Sequence, residues 1–246
     1  MKKTLLLLTF LAVSGMTSTS AQAATHYVSG FGGISWMKDI DATEIYVSSP
    51  GGPNNTTNTE LGSGLALTGA IGCDYGHYRL EAEVGYQRNS VKSMGEDWFG
   101  AAYYFNGPNG PQTLRRQAMR GDISVLTLMG NGYYDFDLGS KVELYATAGI
   151  GVAQVSSHDV NNTTNYSQSS PYTPSPETDP GYNAQETTLA WQVGAGLAAP
   201  IADHVKLDLR YRYFTTTDFT SFDGSENLSN MNISSHSVLL GLRVDF

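Results

Sequence analysis

Residues 205–214 read VKLDLRYRYF. Taken alternately, Val205, Leu207, Leu209, Tyr211 and Tyr213 form one series, and Lys206, Asp208, Arg210, Arg212 and Phe214 the other. Successive side chains of an extended strand point to opposite faces, so four charges share one face and an apolar, aromatic row the other. A water-soluble sheet would turn the charges out and bury the apolar row. The inverse arrangement turns the apolar row to lipid and seals the charges inside a closed sheet.

The same period of two recurs along the chain. In 78–87, Tyr78, Leu80, Ala82, Val84 and Tyr86 alternate with Arg79, Glu81, Glu83, Gly85 and Gln87. Segments 141–152, 188–197 and 237–246 repeat the pattern, 61–74 follows it less cleanly, and 26–37 supplies the first strand. In 121–136 both phases are apolar, which leaves its facing open. With 205–214 these make eight strands, and no long stretch carries a 3.6-residue apolar period. Connections alternate between short ones near 74–77, 137–140 and 201–204 and long ones near 38–60, 92–118, 158–184 and 218–232. Eight of the nine prolines fall in the first three long connections, the ninth (Pro200) at a short turn, and none interrupts a strand, where it would remove a ladder hydrogen bond. The fold expected is all-β: an eight-stranded antiparallel up-and-down barrel with four long loops at one end and three short turns at the other.

Three features choose lipid over water for the apolar face. Gly85, Gly149, Gly151, Gly194, Gly196 and Gly241 lie in the charged phase, where small residues relieve crowding inside a narrow barrel but would only weaken a wet exterior strand. Aromatics gather at strand ends: Tyr75, Tyr78, Tyr133, Tyr134 and Phe136 near the short turns, and Trp36, Tyr86, Tyr211 and Tyr213 toward the long loops. Two such girdles match two membrane interfaces. The chain also stops on an outward-phase aromatic, Phe246. The barrel is therefore expected to be transmembrane.

The chain opens with Lys2 and Lys3, an apolar run from Leu5 to Val13, and Ala21-Gln22-Ala23. That is the anatomy of a secretory signal peptide, so residues 1–23 are expected to be removed, leaving 24–246 as one barrel domain. Without those two lysines, twelve basic residues face 23 acidic ones. Such a balance argues against nucleic acid as a partner. The lone cysteine, Cys73, allows no intrachain disulfide.

The signal peptide, YATAGIGVA (145–153), AWQVGAGL with LDLRYRYF (190–197 and 207–214) and the closing HSVLLGLRVDF (236–246) resemble the outer-membrane β-barrel domain family of Gram-negative bacteria. That group includes opacity-associated, OmpA-like and surface-antigen barrels, often classed with the porins. The resemblance covers the whole mature chain and implies residence in the cell outer membrane, with long loops extracellular and short turns periplasmic. It also implies that Phe246 is part of the signal read by the assembly machinery. No peptidoglycan-binding domain is expected after Phe246, unlike the full-length OmpA pattern.

The inward charges then need partners. On the lipid face at mid-bilayer an Arg or Lys would cost about 2–4 kcal/mol, whereas an eight-stranded lumen is just wide enough for its own side chains to fill. Arg79, Glu81, Glu83, Lys141, Glu143, Lys206, Asp208, Arg210, Arg212, Arg243 and Asp245 are expected to form an interior ion-pair network that plugs the barrel. Glu83 or Glu143 is the expected partner of Arg210, from their heights above the short turns. The alternative use of such charges is a small-solute, porin-like channel or proton path. A lipid-modifying enzyme is a third reading, prompted by Ser235-His236-Ser237. Adjacent strand residues face opposite ways, so His236 and Ser237 cannot share one site. The histidines lack metal-ligand spacing, and no catalytic residue, metal or cofactor is expected.

The loops hold the remaining candidates. Trp98, Phe99, Tyr103 and Tyr104 form an aromatic group, and Arg115 and Arg116 follow it with Arg120. Aromatic and small polar residues make adaptable contact surfaces, and arginines at the headgroup boundary can bind lipopolysaccharide phosphates. The function expected is a monomeric structural or surface-interaction protein, adhesin- or antigen-like, contacting outer-membrane lipid, lipopolysaccharide and a host or neighbouring surface.

Overall fold

The computed structural model describes residues 24–46, 55–97, 115–139, 141–163, 182–222 and 227–246. The expected signal peptide and Trp98, Phe99, Tyr103 and Tyr104 lie outside them. Among the described residues the strands are β1 (Thr25–Met37), β2 (Ile40–Tyr46), β3 (Asn55–Asp74), β4 (Tyr78–Asp97), β5 (Arg115–Phe136), β6 (Glu143–Thr163), β7 (Tyr182–Ala202), β8 (Val205–Thr216), β9 (Phe219–Phe222), β10 (Asn227–Met231) and β11 (Ser234–Asp245). Every pairing is antiparallel. β1 bonds to both β11 and β3, so β1, β3, β4, β5, β6, β7, β8 and β11 close into an eight-stranded barrel.

The short connections are tight for local reasons. Gly76 and Gly139 take left-handed φ of 93° and 62°, and each donates its amide to an Asp two residues earlier, Asp74 at 2.8 Å and Asp137 at 2.9 Å. An Asp side chain that captures its own backbone and a glycine free to adopt positive φ together reverse the chain.

Alternate residues face opposite media. On β8, Asp208, Arg210, Arg212 and Phe214 are buried in the lumen while Leu207, Leu209 and Tyr211 are exposed. The outer wall carries bare aliphatics all round: Ile71, Leu80, Ile150, Leu189, Leu209 and Leu240 are 47–76% exposed. A water-facing exterior of that kind would be an aggregation surface, and hydrocarbon is the medium that fits it. On β5, Val125, Met129 and Tyr133 point inward and Leu126, Leu128 and Tyr134 outward. Both phases are apolar because the upper lumen holds an apolar cluster, including Met37, Val91, Val125, Met129, Phe214 and Ile233. Tyr133 consequently belongs to the interior and not to the girdle expected near the short turns.

The crowded lumen explains its glycines. A Cβ at Gly196 would fall inside contact distance of the Tyr145 ring and the Leu209 carbonyl, and one at Gly241 would meet the Phe31 ring.

The strands exceed the expected lengths. β3 to β7 run 20–22 residues, where about 9–11 suffice for a bilayer. Residues expected in the long connections instead extend the ladder: Gly95 pairs Arg116, Arg120 pairs Asn161, and β2 bonds to both β3 and β10. Register shifts at Leu61/Gly64, Ser90/Met94, Arg120/Asp122 and Ser157/Val160 interrupt four successive ladders where the crown begins. Each bulge bends its strand and raises the local twist.

Leu240 sits near the middle of the outward row of β11, paired with Leu209. Leu240→Arg should lower the unfolding free energy in lipid vesicles by about 2–4 kcal/mol, read as a shift in denaturant midpoint. An unchanged midpoint would mean that this row does not face hydrocarbon.

Candidate functional site

β4 and β8 stand on opposite walls, four strands apart either way round the ring. Period-two geometry aims Arg79, Glu81, Glu83, Gln87 and Asn89 inward from β4, and Lys206, Asp208, Arg210 and Arg212 inward from β8. Their side chains meet across the axis. Arg210 Nη1 lies 3.1 Å from Glu83 Oε2 and 3.8 Å from Glu81 Oε1, and Arg212 Nη1 lies 3.4 Å from Glu83 Oε1. Of the two partners weighed for Arg210, Glu83 is the one in contact.

Glu143 serves a lower layer beside the short turns. Lys206 Nζ is 2.5 Å from its Oε1, and Arg243 donates to its Oε2. Asp245 lies 3.9 Å from Lys206 and 3.8 Å from Arg243. Between the layers, Arg79 donates Nε and Nη2 to the two oxygens of Asp135, both at 2.7 Å. This fork-to-fork pairing adds directional specificity to charge attraction.

Buried tyrosines complete the lattice. Tyr133 donates to Glu81 at 2.5 Å, Tyr27 donates to Glu81 at 3.2 Å, and Tyr145 donates to Asp208 at 2.6 Å. The Arg79 guanidinium lies 4.5 Å from the Tyr133 ring and 4.9 Å from the Tyr145 ring, while Arg210 lies 4.0 Å from that of Phe31. Rings at these distances offer their faces to the cations. Gln192 bridges β7 to β5, donating to Asn131 Oδ1 at 2.7 Å. Above it lies an amide and hydroxyl layer, in which Ser35 and Gln87 both donate to Asn89 Oδ1 at 3.0 Å and Ser235 donates to Gln87 Oε1 at 3.2 Å. The cavity beside Arg212, Gln87, Val125 and Phe214 has a volume of about 10 Å³, room for about one water. A larger one of about 140 Å³ opens at the short turns, lined by Asp74, His77, Asp135, Phe136 and Glu143 among others.

Three candidates fall elsewhere. Lys141 is exposed in the turn before β6, because that strand begins only at Glu143; it is in no ion pair among the described residues. Arg115 and Arg116 open β5, paired with Glu96 and Gly95, and so belong to a ladder where a loop was expected. Phe246 is 72% exposed at the short-turn end, its amide bonded to the His26 carbonyl at 2.8 Å. Sequence reasoning missed Asp135, Tyr27, Tyr133, Asn131 and Gln192. Their inward phase was the available signal, which for Asn131, Tyr133 and Asp135 needed β5 to be oriented first.

Among the described residues, Ser235, His236 and Ser237 do not converge on one site. Ser235 and Ser237 are buried in the lumen, whereas His236 turns outward, its Nδ1 2.7 Å from the Tyr211 hydroxyl. Ser124 Oγ does lie 3.1 Å from His158 Nε2. The adjacent carboxylate, Asp122, is held by Arg88 at 2.6 Å, so the orienting acid that a nucleophile–base pair needs is committed elsewhere.

A closed strand barrel with an aliphatic exterior and a charge-paired interior is a transmembrane β-barrel. Residues 5–246 match the family described as outer membrane protein beta-barrel domain, and the chain belongs to that family; it is a bacterial outer-membrane protein. It is 25% identical over 247 residues to a Rickettsia bellii protein named "Putative adhesin", covering 93% of this chain and 96% of that one. It is 26% identical over 137 residues to the outer membrane protein PagN of Salmonella typhimurium, covering 55% of this chain and 48% of PagN. Among solved structures, Neisserial surface protein A aligns over 90% of this chain and 97% of its own, with a TM-score of 0.47 and 16% identity.

Arg210→Ala removes the cation nearest Glu83 and leaves that buried carboxylate to Arg212 alone, so the cost is expected to approach the about 3–5 kcal/mol of a broken buried pair. The expected result is a lowered denaturant midpoint of the folded barrel in vesicles. A wild-type midpoint would show that the cross-lumen contact does not stabilise the fold.

Proposed function

We propose that the protein is a non-enzymatic, non-conducting scaffold of the outer membrane, whose crown engages a host or neighbouring surface. The observation that carries this reading is the length of β3 to β7, about twice what the bilayer requires. The ladders of β3 to β7 resume beyond the bulges, so the described ends of these strands stand beyond the span that a bilayer requires. Surface segments of this kind need not bury an apolar core and commonly carry binding residues. Trp98, Phe99, Tyr103, Tyr104, Arg115 and Arg116 are the contact candidates on the β4–β5 side. The name borne by the Rickettsia bellii relative points the same way.

The lumen supports the scaffold over the channel. Its charges are engaged by one another and by tyrosine hydroxyls, with an apolar cluster above them. An ion entering would have to displace paired charge and then cross an apolar collar. The barrel acts as a monomer, with Phe246 presented at the short-turn end as an assembly signal, and it needs no cofactor.

The folded protein in planar bilayers should give no steady open level. It should bind at least one member of a panel of host matrix proteins, and shortening the β4–β5 and β6–β7 connections should abolish that binding without shifting the unfolding midpoint. Incubation with lipid A should leave the lipid mass unchanged. A stable conductance would favour the porin-like reading instead, and a lipid mass change would favour an enzyme.

A further inference from the structure

The outward wall is aliphatic along most of β1, β11 and β8, then changes abruptly near the crown. Cross-strand pairing sets Trp36 beside His236 and His236 beside Tyr213, and these three share the outer face. One step higher, Lys38 continues the outward phase of Ile34 and Trp36, its amide bonded to the Ser234 carbonyl at 2.9 Å. Lys38 Nζ lies 5.5 Å from the centroid of the Tyr213 ring, and the His236 ring centroid is 5.1 Å from the same ring. Trp191 meets Tyr213 from the other side at 5.7 Å.

We infer that Lys38 and His236, carried on this aromatic wall, bind a phosphate group of an outer-leaflet glycolipid. A girdle of aromatic rings marks the level of the headgroups, and phosphate is the anion found there. Lys38 supplies a compact ammonium with three donors. The Tyr211 hydroxyl engages His236 Nδ1 at 2.7 Å, which leaves Nε2 as the second polar atom of that ring. The acidic neighbour Asp39 accepts the Leu61 amide at 3.2 Å. The flat faces of Trp36 and Trp191, 45% and 42% exposed, offer apolar area to the sugar and acyl portions of the same molecule. An amphiphile that is anionic at the head and apolar below matches both halves of the site. The site lies on the barrel wall below the crown and stands or falls independently of what the crown contacts.

The test uses the folded mature protein in zwitterionic micelles and native mass spectrometry to read lipid occupancy. The probes are bisphosphorylated lipid A, the same lipid with its phosphates removed, phosphatidylglycerol and inorganic phosphate. Wild type should retain the bisphosphorylated lipid at least tenfold more strongly than the dephosphorylated one. The K38Q and H236Q double variant should lose about that factor, as removal of charge-assisted contacts does. K38Q alone, at a position just beyond β1, should lose part of it with an unchanged melting midpoint, so a folding defect cannot be mistaken for loss of the site. R88A, which removes an exposed cation on the β4 wall, should bind as wild type does. Equal retention of both lipid A forms, or wild-type retention by the double variant, would overturn the site and leave only an aromatic belt. Equally tight binding of phosphatidylglycerol or of inorganic phosphate would overturn its assignment to a glycolipid.

Discussion

Charge that cannot reach water must find charge, and that constraint organises the lumen. Arg210 and Arg212 enter from one wall and Glu81 and Glu83 from the opposite one, so every contact between them spans the barrel. A narrow barrel makes this possible, since opposing side chains can touch only where the interior is about two side chains wide. The glycines are the complement of the same geometry. Where Arg210, Tyr145 and Phe31 fill the lumen, facing positions such as Gly196 and Gly241 must give up their side chains. Burying so many ions carries a desolvation cost that their mutual attraction offsets only when geometry and hydrogen bonding are good. The tyrosines fit that requirement: Tyr27, Tyr133 and Tyr145 bring apolar ring area into the core and place a donor on the carboxylates.

Much of the membrane barrel was legible because period-two alternation reports the two faces directly. The facing of Leu207, Leu209 and Tyr211 follows from VKLDLRYRYF alone, given the decision that the apolar face meets lipid. Pairing across the lumen was less accessible. Alternation gives the face of a residue and, roughly, its height, but not which residue of the opposite wall shares that height. Glu83 and Glu143 were therefore equally eligible for Arg210, and the shear of the closed sheet separates them. Asp135 went unnoticed because β5 is apolar in both phases, and its orientation depends on the apolar cluster of the upper lumen.

The crown was hidden for a different reason. Alternation becomes visible when one face is apolar, and beyond the bulges neither face has to be. Segments such as NTTNTE at 55–60 read as loop by composition. Extending an existing ladder nevertheless adds hydrogen bonds with little further ordering, and threonine favours extended backbone. The polar strand therefore continues for as long as its neighbour does. Lys141 is the converse case, with the right phase for the interior but on the wrong side of the strand start.

The position of the charged layers also bears on how the barrel closes. Arg210 and Glu83 are 127 residues apart, and neither is satisfied by its own hairpin. Consecutive strands from β3 to β8 can pair by local turns, but such an open sheet leaves Glu81 and Glu83 far from Arg210. The pairs form only when the sheet curls fully and β1 joins β11 to β3. Ring closure and ion pairing are thus coupled. A partly closed sheet would present unpaired strand edges and unpaired charges to the bilayer at once, and both are strongly disfavoured there. The network therefore favours the closed state most against the alternatives that a membrane-inserting sheet most readily populates. Its cross-lumen part fits that role, for Arg210 and Arg212 meet Glu81 and Glu83 only after closure, while pairs such as Arg79 with Asp135 join strands that are already neighbours.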